Sequence, residues 1–253
     1  MQNEESKIKE NRIEGRNAVL EAFRSGKTID KLYVLDGCQD GPVKSITREA
    51  RKHDTIINYV AKERLDQLSE TGKHQGVIAV SAAYEYAEVE DILAAAEAKG
   101  EAPFIIILDG IEDPHNLGAI IRTANQAGAH GVIIPKRRAV GLTPTVARTS
   151  AGAINYTPVA KVTNISNTMK ELKDKGMWFV CADMDGTRMY DLDLTGPIGL
   201  VIGNEGDGVS PLVKKNCDMV ASIPMKGDID SLNASVATGV LAYEIVRQRI
   251  NKG

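Results

Sequence analysis

Ser231 and Asn233 flank an apolar Leu232 just before a long segment of helical periodicity. Either side chain could accept a hydrogen bond from the free N–H groups that open a helix. A plain helix start needs one such residue, so the pair also fits a loop that grips a ligand. Two further stretches carry polar groups at strand ends. Asn116-Leu117-Gly118-Ala119-Ile120-Ile121-Arg122 begins a helix that puts Arg122, Asn125 and Gln126 on one face by i, i+3, i+4 spacing. That face is either solvated or a polar binding surface. Gly203-Asn204-Glu205-Gly206-Asp207-Gly208 sets a carboxylate among three glycines, where backbone can approach a ligand closely. Glu205 could meet a polar ligand group or cap the next helix. These are hydrogen-bonding and charged groups rather than a metal set. Cys38, Cys181 and Cys217 have neither metal nor disulfide spacing, and His53, His74, His115 and His130 are scattered. Gly26-Lys27-Thr28 resembles the end of a phosphate-binding loop, but position 21 holds Glu21 where that loop needs glycine. No Gly-x-Gly-x-x-Gly follows a strand, which argues against a dinucleotide site.

The elements that must position these groups read as two α/β blocks. The first follows a polar tail to about Glu10. It predicts a helix over Ile13–Arg24, strands at Lys31–Leu35, Ile56–Val60 and Val77–Val80, and helices at Val43–Lys52 and Ala61–Ser69. The second predicts strands at Phe104–Leu108, Val132–Ile134, Met177–Ala182, Ile198–Ile202 and Met219–Ile223. Its helices are Asn116–Ala127, capped by Asn116, and Ala234 to about Arg249. Strands alternating with helices predict a mostly parallel sheet covered on both faces. Ligands in such folds gather at the C-terminal strand ends, where all three polar stretches fall. The expected domains are 11–82 and 99–253, joined by an acidic, Ala-rich linker at 83–98 that turns helical near Asp91.

Composition sets limits on partners. The 253 residues carry a formal net charge of −3. Residues 83–98 hold five acids (Glu85, Glu88, Glu90, Asp91, Glu97) and no base. Any basic surface for nucleic acid must therefore be local. Candidates are Lys136-Arg137-Arg138, Arg148, the group Arg12, Arg16, Arg24 and Lys27, and the group Arg48, Arg51 and Lys52. Aromatic residues are 4% of the chain, so base stacking is a minor expectation beside backbone and shape recognition. Charged opening residues, free thiols and no long apolar run predict a cytoplasmic protein with no membrane and no metal partner.

Taken together, Asn116…Arg122, Gly203-Asn204-Glu205-Gly206 and Ser231-Leu232-Asn233-Ala234-Ser235 closely resemble the three motifs of the SpoU/TrmH family. These are S-adenosylmethionine-dependent RNA ribose 2′-O-methyltransferases of the SPOUT superfamily. The resemblance covers roughly residues 104–250. Gly15-Arg16-Asn17-Ala18-Val19 and His74-Gln75-Gly76-Val77 look like the small α/β RNA-binding domain, similar to ribosomal proteins, that precedes many of these enzymes. The resemblance implies a Rossmann-like catalytic domain with a deep trefoil knot, an exception to the rule against threaded chains. It implies a homodimer with S-adenosylmethionine held by backbone at Gly203, Ile223 and Leu232. It gives Asn116, Arg122, Glu205, Ser231 and Asn233 as catalytic residues. The implied substrate is a guanosine ribose in the peptidyl-transferase region of bacterial 23S rRNA. A tRNA ribose methyltransferase and a non-catalytic ribosome-assembly factor of the same fold are the alternatives.

Methyl transfer to a ribose hydroxyl is an in-line displacement on an already activated donor. The hydroxyl is scarcely ionised at neutral pH, so the protein must align it and stabilise developing alkoxide. A fixed guanidinium suits the second task. Arginine is very hard to deprotonate, which favours an electrostatic and orienting role for Arg122 over that of a base.

Overall fold

The computed structural model describes residues 12–228 and 231–252. The expected tail lies outside them, as do Ile229 and Asp230 of the loop before the last helix. The chain divides into two units: one up to Glu85 together with Gly141–Pro144, the other Tyr86–Val140 with Thr145–Gly253.

In the first unit, β1 (Arg12–Glu14) precedes α1 (Arg16–Arg24), and β2 (Ile29–Leu35), α2 (Gly41–Lys52), β3 (Ile56–Val60), α3 (Lys62–Leu68) and β4 (Val77–Ser81) follow. The sheet order is β1-β4-β2-β3, with only β2 and β3 parallel. The predicted helix over Ile13–Arg24 is thus corrected at its start. Gly15, at φ 88, breaks the chain between strand and helix in a conformation that glycine tolerates. Val19, Phe23, Leu32, Val34, Ile46 and Ala79 share the main core. Arg12 donates to the Leu68 carbonyl, and Arg16 is tied to Asp40 at 2.6 Å and to the Gln75 carbonyl at 3.0 Å. Both are therefore committed internally. Arg24, Lys27, Arg48, Arg51 and Lys52 remain exposed.

Glu14 organises the loop after α3. Its carboxylate accepts from the hydroxyls of Ser69 and Thr71, each at 2.6 Å, and from the Glu70 N–H at 2.5 Å. Partial burial alone would raise this carboxyl, but those hydrogen bonds overcome it and bring it down to about 2 from 4.5. A depressed folded-state value means the stabilisation is complete above about 4.5 and is lost as pH falls toward 2. Glu14→Gln should therefore lower the melting temperature at pH 7, and the gap to wild type should close as pH falls from 4.5 to 2.5. A gap that stayed constant across that range would contradict this assignment.

The second unit opens on α4 (Val89–Lys99), started by a capping box between Glu88 and Asp91. Its Ile92 and Ala96 are fully buried, and Ile92 lies in the main core with Ile105, Ile107 and Ile133. A Cβ at Gly131 would come 2.6 Å from Ile92, so this helix packs closely on the sheet. The segment read as a linker thus supplies part of this unit's core. Six strands form a wholly parallel sheet in the order β10-β8-β9-β5-β6-β7. They are β5 (Phe104–Asp109), β6 (Gly131–Pro135), β7 (Val159–Val162), β8 (Trp178–Arg188), β9 (Ile198–Gly203) and β10 (Met219–Ser222). The unit's other helices are α5 (Pro114–Gln126), α6 (Pro144–Thr149), α7 (Ile165–Asp174), α8 (Pro211–Lys215) and α9 (Ala234–Lys252). Every residue of β5 is buried, as a central parallel strand requires.

Three departures from the sequence reading bear on function. First, α5 starts two residues before Asn116, with Pro114 at its first turn and Asp113 as N-cap, accepting from the His115 N–H at 2.9 Å. Asn116 therefore points inward from the first turn and is 7% exposed. Second, β7 and α7 went unpredicted. Third, β8 runs on to Arg188, because its pairing with β10 slips: Val220 pairs Cys181 but Ala221 pairs Thr187. Ala182–Gly186 leave the ladder as a bulge.

Candidate active site

The C-terminal ends of β8, β9 and β10 surround a cavity of about 330 Å³. The β8 bulge forms one wall through Ala182, Asp183, Met184 and Asp185. A second wall is the loop Gly203–Gly208 after β9, and a third is Ile223, Met225, Ser231 and Leu232. Gly203, Ile223 and Leu232 thus line one space. Connections leave β5 toward β6 and β7 but leave β9 toward the β8–β10 edge, and the cavity lies on the β9 side of that reversal.

Three catalytic candidates, far apart in sequence, meet beside this cavity. Asn116 Nδ2 donates to Glu205 Oε1 at 2.5 Å. Asn233 Nδ2 donates to the same oxygen at 3.2 Å and to Asn116 Oδ1 at 3.0 Å. Glu205 is the common acceptor, which fixes the orientation of both amides. Asn233 Oδ1 also caps α9, accepting from the Ser235 N–H at 3.0 Å and its hydroxyl at 2.6 Å. The cap therefore belongs to Asn233, and Ser231 lies on the cavity wall instead. Glu205 caps no helix.

Arg122 stands apart from this triad. It lies on α5 six residues beyond Asn116, is exposed, and forms no hydrogen bond or ion pair with other described residues. It does not line the cavity. Its guanidinium is available to an external group.

Gly203 needs to be glycine for a reason other than ligand space. A Cβ there would lie 2.0 Å from the Gly208 carbonyl carbon and 2.2 Å from the Val209 nitrogen. The loop folds back on its own strand end, and the side chain would strike backbone. The Asn204 side chain shapes that turn, accepting from the N–H groups of Gly206 and Asp207 at 2.9 and 2.7 Å.

The cavity's charge is one-sided. Asp183, Asp185, Glu205 and Asp207 line it, and none of its described lining residues is Lys or Arg. The Lys214 ammonium, 2.6 Å from Asp183, holds that carboxyl below the usual range, and Asp183 raises Lys214 in turn. Ile202, Ala221, Ile223, Met225 and Leu232 supply apolar surface. The arrangement suits a ligand with an apolar body and positive charge. The β8 wall was missed in sequence because only the register slip brings it there. No group of three or more potential metal-ligating side chains occurs among the described residues. No helix among them is long and apolar enough to cross a membrane.

An α/β unit with polar loops at its parallel strand ends thus follows a separate small α/β unit in the chain. The chain belongs to the SpoU rRNA Methylase family, whose pattern matches residues 103–243, and residues 12–87 match the RNA 2′-O ribose methyltransferase substrate binding domain. It is 50% identical over 236 residues to YacO of Bacillus subtilis, named for the TrmH family of tRNA/rRNA methyltransferases, covering 93% of this chain and 94% of that one. Among solved structures, the SpoU methyltransferase AviRb from Streptomyces viridochromogenes, in complex with the cofactor AdoMet, matches with 28% identity and a TM-score of 0.61, over 95% of this chain and 90% of that one. The A. aeolicus TrmH/SpoU tRNA modifying enzyme matches with 32% identity and a TM-score of 0.55, over 60% of this chain and 78% of that one.

Proposed function

We propose that this protein is an S-adenosylmethionine-dependent ribose 2′-O-methyltransferase acting on a guanosine in the peptidyl-transferase region of 23S rRNA. The observation that carries the chemistry is the convergence of Asn116, Glu205 and Asn233 beside a cavity of anionic lining. The methyl donor bound in the AviRb crystal supplies a sulfonium methyl, a cationic group that such a cavity favours. Gly203, Ile223 and Leu232 hold the cofactor through backbone beside them. Asn116, Glu205 and Asn233 keep the three loops in register, and Ser231 faces the same space. Arg122 orients the ribose and stabilises the oxygen's developing charge, and a substrate phosphate takes the proton.

An rRNA target is favoured over tRNA by the appended first unit. The A. aeolicus tRNA-modifying neighbour matches 60% of this chain, fewer residues than its two units hold together. A homodimer is part of the reading. Val236, Tyr243 and Ile250, seven residues apart on α9, are 50%, 51% and 72% exposed and offer a second copy an apolar stripe next to the Asn233 cap. Calorimetry with S-adenosylmethionine, followed by transfer of labelled methyl to 23S rRNA and to tRNA, tests the proposal. Binding with label entering rRNA is expected. Label entering tRNA alone would move the substrate, and no binding would remove the activity.

Gly203→Ala tests the cavity itself. The added methyl meets backbone at contact distances no loop can absorb in place, so the Gly203–Gly208 wall must move. S-adenosylmethionine binding, measured well below the variant's melting temperature, should fall below detection, and the melting temperature should drop markedly because the clash is with backbone. Wild-type affinity in this variant would place the cofactor elsewhere.

A further inference from the structure

We infer that Asp109 is a positioning residue that fixes Glu205 by closing the Gly203–Ser210 loop, an inference resting on the methyltransferase reading above. Asp109 ends the buried strand β5 and is itself 8% exposed. It meets both ends of the loop. Its backbone pairs in register with Gly203, where the loop departs, and its Oδ2 accepts from the Ser210 N–H at 2.9 Å, where the loop returns. Next to it, Gly110 takes φ 87, and a Cβ there would lie 3.0 Å from Asn204 Nδ2, so the strand end also seats the first turn of the loop. Between these anchors only Val209 enters the core. Glu205, Gly206 and Asp207 are exposed, and their shape rests on the Asn204 turn and the Asp109–Ser210 closure.

The consequence for the site is direct. Glu205 is the acceptor shared by Asn116 and Asn233, and the same loop is one wall of the cavity. Without the Asp109 carboxylate, the Ser210 N–H loses its partner, and the returning limb of the loop is left to buried Val209 and to the Gly208 N–H on the Asn204 carbonyl at 3.1 Å. Glu205 is then less firmly placed, its bonds to both amides weaken, and the cofactor wall loosens. A residue that merely stabilised the fold would lower the melting temperature and leave affinity and rate unchanged in the folded protein.

Three variants of the full chain decide the matter. Asp109→Ala removes the acceptor. Asp109→Asn keeps an oxygen that can accept. Ser210→Pro removes the donor from the other side: φ −59 and ψ 145 suit the ring, whose Cδ then displaces the Asp109 carboxylate from the place the N–H held. Binding of S-adenosylmethionine and single-turnover methyl transfer are measured well below each variant's melting temperature. Asp109→Ala should weaken both about tenfold, the scale of one hydrogen bond made by a charged group. Asp109→Asn should recover most of the loss. Ser210→Pro should match Asp109→Ala and add little to it in the double variant, because both delete one bond. Should Asp109→Ala fail to fold, Ser210→Pro and Asp109→Asn carry the same comparison. Wild-type affinity and rate in Asp109→Ala or Ser210→Pro would overturn the inference, as would full additivity. If the wild-type protein bound no cofactor, the methyltransferase reading would fail, and this inference with it.

Discussion

Arg122→Ala is expected to bind S-adenosylmethionine within a few fold of wild type and to lose methyl transfer by roughly 10²–10³-fold or more, the scale of removing one preorganised stabiliser of developing charge. The split follows from where Arg122 sits. It lines no part of the cavity and touches neither Glu205 nor the two amides, so its loss leaves both intact. It shares α5 with Asn116, so its backbone is held by the same helix. An exposed guanidinium without an internal partner is a small structural loss and a large chemical one. Arg122→Lys should restore only part of the rate, since a compact ammonium cannot reproduce the planar fork. Near-wild-type turnover in Arg122→Ala would end the assignment.

The second large effect separates the two units. A fragment Tyr86–Gly253 is expected to fold and bind S-adenosylmethionine within a few fold of the full chain. Its RNA affinity should fall at least tenfold at moderate salt, because Arg24, Lys27, Arg48, Arg51 and Lys52 are gone and each phosphate contact contributes through counterion release. The salt dependence of binding should flatten with it. The starting residue matters. A fragment beginning at Lys99 would lack α4 and uncover the core that Ile92 covers, so it should melt well below one beginning at Tyr86. Equal RNA affinity and equal methylation by the Tyr86 fragment would show that the first unit does not read the substrate.

What the sequence disclosed of this architecture depended on how local each feature is. Phe104–Leu108 is an unbroken apolar run, and a central parallel strand is what such a run becomes. Ser231, Asn233 and Glu205 stood out because polar residues at strand ends have few packing roles. Asp113-Pro114 carried a helix-start signal of its own, an N-cap followed by first-turn proline, which placing the cap at Asn116 passed over. The β8 bulge was not legible, because the slip from Cys181 to Thr187 is set by β10, some thirty residues away in the chain. Gly186 is its trace in the sequence: a Cβ there would strike the Val220 carbonyl oxygen at 2.5 Å. The glycine at 203 was legible as a close approach, but its partner proved to be the protein's own loop. Asp109 was invisible as a site residue because its partner is a backbone N–H, which no residue type announces.

The most direct test of the central claim is a map of ribose 2′-O-methylation across rRNA and tRNA from a strain lacking this gene, compared with the parent and with the strain carrying Arg122→Ala. The account predicts that one guanosine in the peptidyl-transferase region of 23S rRNA loses its methyl group in the deletion strain. The wild-type gene should restore it and Arg122→Ala should not. A map in which every rRNA and tRNA ribose methylation survives the deletion would contradict it.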